Sequence, residues 1–148
     1  MASNDNSERL TRTMPANLAL RPGTIEKVFT DCVMDLKEIL ILDAIDILPD
    51  GFRIRCHDLH GQLPEIVMKN SGDTFQDKDR LGDEVCRLIA IVRLREKMVR
   101  FLPGCTLLLP TCMAGKAIVS IQAKPMTWIA EGKDFLTAYH ELHRQVVG

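Results

Sequence analysis

The chain has 148 residues, 26% of them charged, 46% hydrophobic and only 5% aromatic, with a formal net charge of −1. That length suits one domain with an aliphatic core that needs no cross-links, and the composition excludes a disordered or fibrous chain. The near-neutral balance argues against nucleic acid as the main partner, because phosphate binding draws on a basic surplus.

Residues 1–23 are polar and end in Pro15, Pro22 and Gly23. They read as a flexible N-terminal arm ahead of a single α+β domain over 24–148. The arm has no apolar signal region, and no run in the chain is long enough for a transmembrane helix, so the expected setting is cytoplasmic. The segment Leu18-Ala19-Leu20 has the apolar character to dock onto the body. From Thr24 the spacing of Ile25, Val28, Phe29, Cys32, Leu36, Ile39 and Leu40 places an apolar stripe on one helix face.

Residues 44–48 fit either the end of that helix or a strand. Pro49-Asp50-Gly51 is a turn, and Phe52, Ile54 and Cys56 then alternate with Arg53, Arg55 and His57, the period of a half-buried strand. A second turn at 60–62 leads to a strand over 65–69. The longest helix is expected at about 77–101, with Asp77, Asp79, Asp83 and Glu84 early and Arg93, Arg95, Lys97 and Arg100 late, matching the helix dipole. It carries two apolar stripes: Leu81, Val85, Leu88, Ile89 and Val92, then Ile91, Leu94 and Met98. Pro103-Gly104 ends it. Strands follow at 106–109, 117–121 and 126–129, separated by turns at 113–116 and 124–125. A last helix over 133–147 buries Phe135, Leu136, Tyr139, Leu142 and Val146.

The expected fold is therefore α+β, an antiparallel sheet with three helices in the order α-β-β-α-β-β-β-α. This element order resembles two families of small proteins. Roadblock-type dimerisation modules run in that order, and secretion chaperones that dimerise through a central helix have a related one. The resemblance is of topology alone. No residue motif of either family stands in the sequence, so no site residue follows from it.

Several residue groups could carry chemistry. Cys56-His57-Asp58-Leu59-His60 offers a thiol, two imidazoles and a carboxylate, but neighbours on a strand point to opposite faces and cannot share one ion. His140 and His143 share a helix face three residues apart, without the H-E-x-x-H pattern. His57, His60, His140 and His143 are thus weak metal candidates, and no cofactor is expected. The five cysteines (32, 56, 86, 105 and 112) are odd in number and hold no C-x-x-C pair, the usage of a reducing compartment. Cys112 precedes a strand, so no helix dipole activates it. The basic residues Arg93, Arg95, Lys97 and Arg100, with Arg53 and Arg55, could meet phosphates, but stacking aromatics are scarce.

The leading expectation is a non-enzymatic protein-binding or assembly module: an adaptor, chaperone-like protein or complex subunit, and a homodimer by default. It rests on the excess apolar surface of the central helix, on an open sheet edge, and on the adaptable side chains of Met34, Met68, Met98, Met113 and Met126. Ile91, Leu94, Arg95 and Met98 are the expected contact residues. The alternatives are a small thiol- or zinc-dependent enzyme using Cys56 or Cys112 with the histidines, and a nucleic-acid-binding protein.

Overall fold

The computed structural model describes residues 19–36 and 39–148. Most of the expected arm lies outside the described residues. Its last part does not: Leu20 is buried, and the first helix, α1 (Pro22–Leu36), opens at Pro22, whose fixed φ suits a first turn. The region left undecided by sequence is a strand, β1 (Ile41–Leu48), which turns through Pro49-Asp50 into β2 (Gly51–Asp58). The two pair antiparallel, with a register shift between Leu42 and Ala44. β3 (Gly61–Gln62) and β4 (Ile66–Lys69) both pair with β2 and complete a first sheet. Gly51 is required by that pairing, since a Cβ there would lie 1.9 Å from the Met68 carbonyl oxygen.

The central helix α2 runs Thr74–Phe101, three residues longer at its start than expected. Asp73 is its N-cap and accepts from the Phe75 and Gln76 amides. Asp77 is fully buried instead, bonded to the Ser71 amide and to Arg80 Nη1 at 2.7 Å.

A second antiparallel sheet follows: β5 (Thr106–Leu107), β6 (Thr111–Met113), β7 (Lys116–Ala123) and β8 (Met126–Gly132), with β7 paired to each of the other three. The β6–β7 turn uses Ala114 and Gly115, both at positive φ, the geometry that keeps a tight hairpin twisted correctly. Helix α3 (Phe135–Val147) starts at the Asp134 cap, which accepts from the Thr137 amide at 2.7 Å.

The fold is thus α+β in roughly the expected order, with four strands on either side of α2 among the described residues, divided between two sheets rather than joined in one. The buried side chains of β2, β4, β7, α1, α2 and α3 form one aliphatic cluster, with Phe52, Ile54, Leu81, Val85, Ile121 and Leu142 among its least exposed members. Helix α2 packs against both α1 and α3, which accounts for its two apolar stripes. Among the described residues, no helix is long and apolar enough to cross a membrane.

Candidate functional site

Alternation along β2 sends Phe52, Ile54, Cys56 and Asp58 inward. Asp58 therefore brings a carboxylate into the core, at the strand's last residue. Arg95 meets it from α2, donating through Nε and Nη2 to the two carboxylate oxygens at 2.8 and 3.0 Å. Both side chains are almost wholly buried. Arg95 Nη1 donates to the Tyr139 hydroxyl of α3 at 2.9 Å, and the guanidinium carbon lies 5.7 Å from that ring's centre. The His60 amide gives Asp58 a further bond at 2.8 Å. Burial pushes the Tyr139 hydroxyl above its ordinary value, so it stays protonated beside the cation. The cluster joins β2, α2 and α3 through bidentate, charge-assisted bonds.

Above it opens a cleft of about 330 Å³ lined by Ile39, Asp58, Leu59, His60, Val92, Glu96 and Arg100. His60 Nε2 donates to Glu96 at 2.7 Å, and Arg100 Nε donates to the same carboxylate at 3.0 Å. These bonds, His60 first, hold Glu96 below its ordinary value of 4.5. A carboxylate with a depressed folded pKa adds stability above its unfolded value, and that stability is lost as pH falls through the folded one. Thermal stability should therefore begin to fall as pH drops below about 4.5. Glu96→Gln should flatten that part of a Tm-against-pH curve. A variant curve parallel to the parent's would place the acid sensitivity elsewhere.

The cleft is rimmed by side chains already bonded to one another, and what they form is a clasp on the fold. Among the described residues, the polar side chains that line it are Asp58, His60, Glu96 and Arg100, each with a bonded partner.

The structure separates the other candidates. His57 lies on the outer face of the first sheet, Nδ1 2.8 Å from Asp43, while His60 faces α2. His140 is exposed on α3 and His143 is half-buried there. Among the described residues, no three His, Cys, Asp or Glu side chains are grouped to hold a metal ion. Cys56 is fully buried, and burial, followed by Asp43 and Asp58, pushes its thiol up to about 12. It is no nucleophile at neutral pH. Cys112 is exposed on β6.

The basic residues are largely committed to carboxylates. Arg53 and Arg55 lie 3.1 and 3.3 Å from Asp46, Arg100 bonds Glu96, and Arg95 points into the core.

The expected contact residues are placed differently from the expectation. Ile91, Leu94, Arg95 and Met98 are all buried within the monomer, because their α2 face is covered by the chain's own elements.

On the second sheet, Ala117, Val119 and Ile121 of β7 point inward, so Ile118, Ser120 and Gln122 point out. Register adds Thr111 and Met113 from β6, and Thr127 and Ile129 from β8, to the same outer face. Met113 and Ile129 are 67% and 61% exposed. The only charges in these rows are Lys116 and Glu131, at one end and bonded to each other at 2.9 Å. The outer face of the first sheet is the opposite in character, carrying Asp46 with Arg53 and Arg55, and Asp43 with His57.

Comparison with protein-family models, with curated proteins and with solved structures finds no match.

Proposed function

We propose that the chain is a non-enzymatic binding and assembly module that pairs with a second copy of itself through the outer face of the β5–β8 sheet. The observation that carries this reading is that face's lack of net charge, in a chain with 26% charged residues. A solvated sheet face normally carries ions, as the first sheet does. A neutral face with exposed Met and Ile is stabilised by covering it.

Charge favours a second copy as the cover. The one ion pair on the face, Lys116 with Glu131, is internally neutralised, so a two-fold apposition sets neutral surface against neutral surface. Sheets stacked in this way lie about 10 Å apart with their side chains interdigitated. Met113 supplies an unbranched side chain that adapts to such a contact.

Sedimentation velocity across micromolar concentrations tests the reading. The parent chain should sediment as a dimer. Ile129→Asp should give a monomer with an unchanged circular dichroism spectrum, since Ile129 faces outward. A parent that stays monomeric at the highest concentration, or a variant that stays dimeric, would overturn it.

A further inference from the structure

A groove of about 370 Å³ lies where an edge of the first sheet comes beside an edge of the second. Gln62 to Val67 line one wall, and Leu109 to Cys112 the other. The volume falls in the range of about 300–1,000 Å³ usual for ligand sites. β4 pairs only with β2 and β6 only with β7, so among the described residues both walls are strand edges without a neighbouring strand.

The ladders fix where those edges point their peptide groups. In an antiparallel pair, opposed residues alternate between exchanging both N–H···O bonds and exchanging none. Just past β4, the Asn70 amide donates to the Asp50 carbonyl. Counting back through the register makes Phe52 with Met68 and Ile54 with Ile66 the bonded pairs, and leaves Arg53 with Val67 unbonded. The Val67 N–H and C=O therefore point away from β2. The Lys69 carbonyl has the same parity, and it accepts from Arg80 on that side. The Leu63 amide donates to the Cys56 carbonyl, which turns the Gln62 groups outward in the same way. On the second sheet, the Leu108 amide donates to the Ser120 carbonyl, so the even-numbered residues of β7 bond toward β5 and β6. Cys112 stands opposite Ala117, an odd-numbered residue, and its N–H and C=O point to the open side.

Peptide donors and acceptors on both walls are the chemistry that recognises an extended backbone. The rest of the lining is mostly apolar, including Leu63, Leu109 and Phe135, and its one charged residue is the exposed Glu65. We propose that the groove binds an extended segment of a partner protein, with apolar residues at alternate positions and a lysine or arginine between them. The segment adds as a strand between β4 and β6, bonding Gln62 and Val67 on one side and Cys112 on the other. Successive side chains of a strand point to opposite faces, so the apolar set packs onto Phe135 while the cation meets Glu65. Charge favours a foreign segment over a second copy. The two long edge strands a copy could offer, β1 and β8, carry acidic residues and no cation. The site is separate from the outer face of the second sheet and does not rest on self-association.

The probe is the peptide Val-Lys-Val-Thr-Val-Lys-Val, acetylated, amidated and carrying a fluorophore, titrated with the full chain and followed by anisotropy. Saturable binding is expected. It should weaken roughly tenfold when both lysines become glutamates, and further when the amide nitrogens of alternate residues are methylated. Val67→Pro and Cys112→Pro each remove an edge N–H that serves no ladder bond, so each should bind roughly tenfold more weakly with an unchanged circular dichroism spectrum. Hydrogen exchange on the parent chain gives a readout that needs no variant. The Gln62, Val67 and Cys112 amides should exchange fast in the free chain and slow down when the peptide binds. Absence of binding at millimolar peptide would overturn the proposal, as would undiminished affinity for the methylated or glutamate peptide, or for a folded proline variant. Amides already protected without peptide would assign the groove to a second copy or to the chain's own N-terminal residues, and would equally defeat it.

Discussion

Asp58→Ala should cost about 3–5 kcal/mol of folding stability, because it strands a guanidinium in the core. Arg95 is 1% exposed, and its Nε and Nη2 donors have Asp58 as their partner. Removing the carboxylate leaves a buried cation with only the Tyr139 hydroxyl, and deprives the His60 amide of its acceptor. The loss is a large part of the roughly 5–15 kcal/mol that a domain commonly has. Urea unfolding should show the midpoint moving well down with little change in slope. The double variant Asp58→Ala/Arg95→Met should recover part of the loss, since a buried ion pair exchanged for apolar volume is often neutral. A single variant within 1 kcal/mol of the parent, or a double no better than the single, would mean that the pair is hydrated and the clasp is not what holds β2 to α2.

That clasp has a sequence signature, although not a local one. Asp58 and Arg95 are 37 residues apart, so no spacing pattern links them. Each nevertheless sits at a position its own element marks as inward. Asp58 has the same parity on β2 as Phe52, Ile54 and Cys56, and Arg95 lies four residues after Ile91 and three before Met98. A charged residue on each of two buried stripes, with opposite signs, is a physical reason to expect a pair. Reading Arg95 as one of a run of surface cations, and Asp58 as part of a polar turn, hides it.

The helices and the main hairpins were legible because amphipathic periods and Pro/Gly turns determine them locally. β1 was not, for a reason the register makes plain. The shift between Leu42 and Ala44 breaks the period-two alternation that identifies a strand, so Ile41–Leu48 fits a helical pattern equally well. The division into two sheets was also hidden. Turn chemistry says which strands are joined by hairpins; it does not say whether the pairs on either side of α2 share hydrogen bonds. The neutral outer face was legible only in part, since its rows require the partner of each β7 residue on β6 and β8.

The second large effect follows from where α2 sends its side chains. Leu94→Asp/Met98→Asp should unfold the monomer. Met98 has no exposed surface and Leu94 has 7%. Each substitution forfeits about 1.5–3 kcal/mol of apolar burial. Each also places a carboxylate in a space with no donor prepared for it, at a further cost of several kcal/mol. Together these match or exceed the whole stability of an ordinary domain. The expected result is loss of the cooperative thermal transition and a collapse of the far-ultraviolet helix signal. Had this face been the contact surface, the same variant would keep its fold and lose only its assembly. Substituting Met113→Asp/Ile129→Asp instead places the same two carboxylates on the outer face of the second sheet. That variant should keep the parent's helix signal and sediment as a monomer. The two doubles together separate the core of the protein from its proposed contact surface: a folded Leu94/Met98 variant would return the interface to α2, and an unfolded Met113/Ile129 variant would show that the outer face is packed already within one copy.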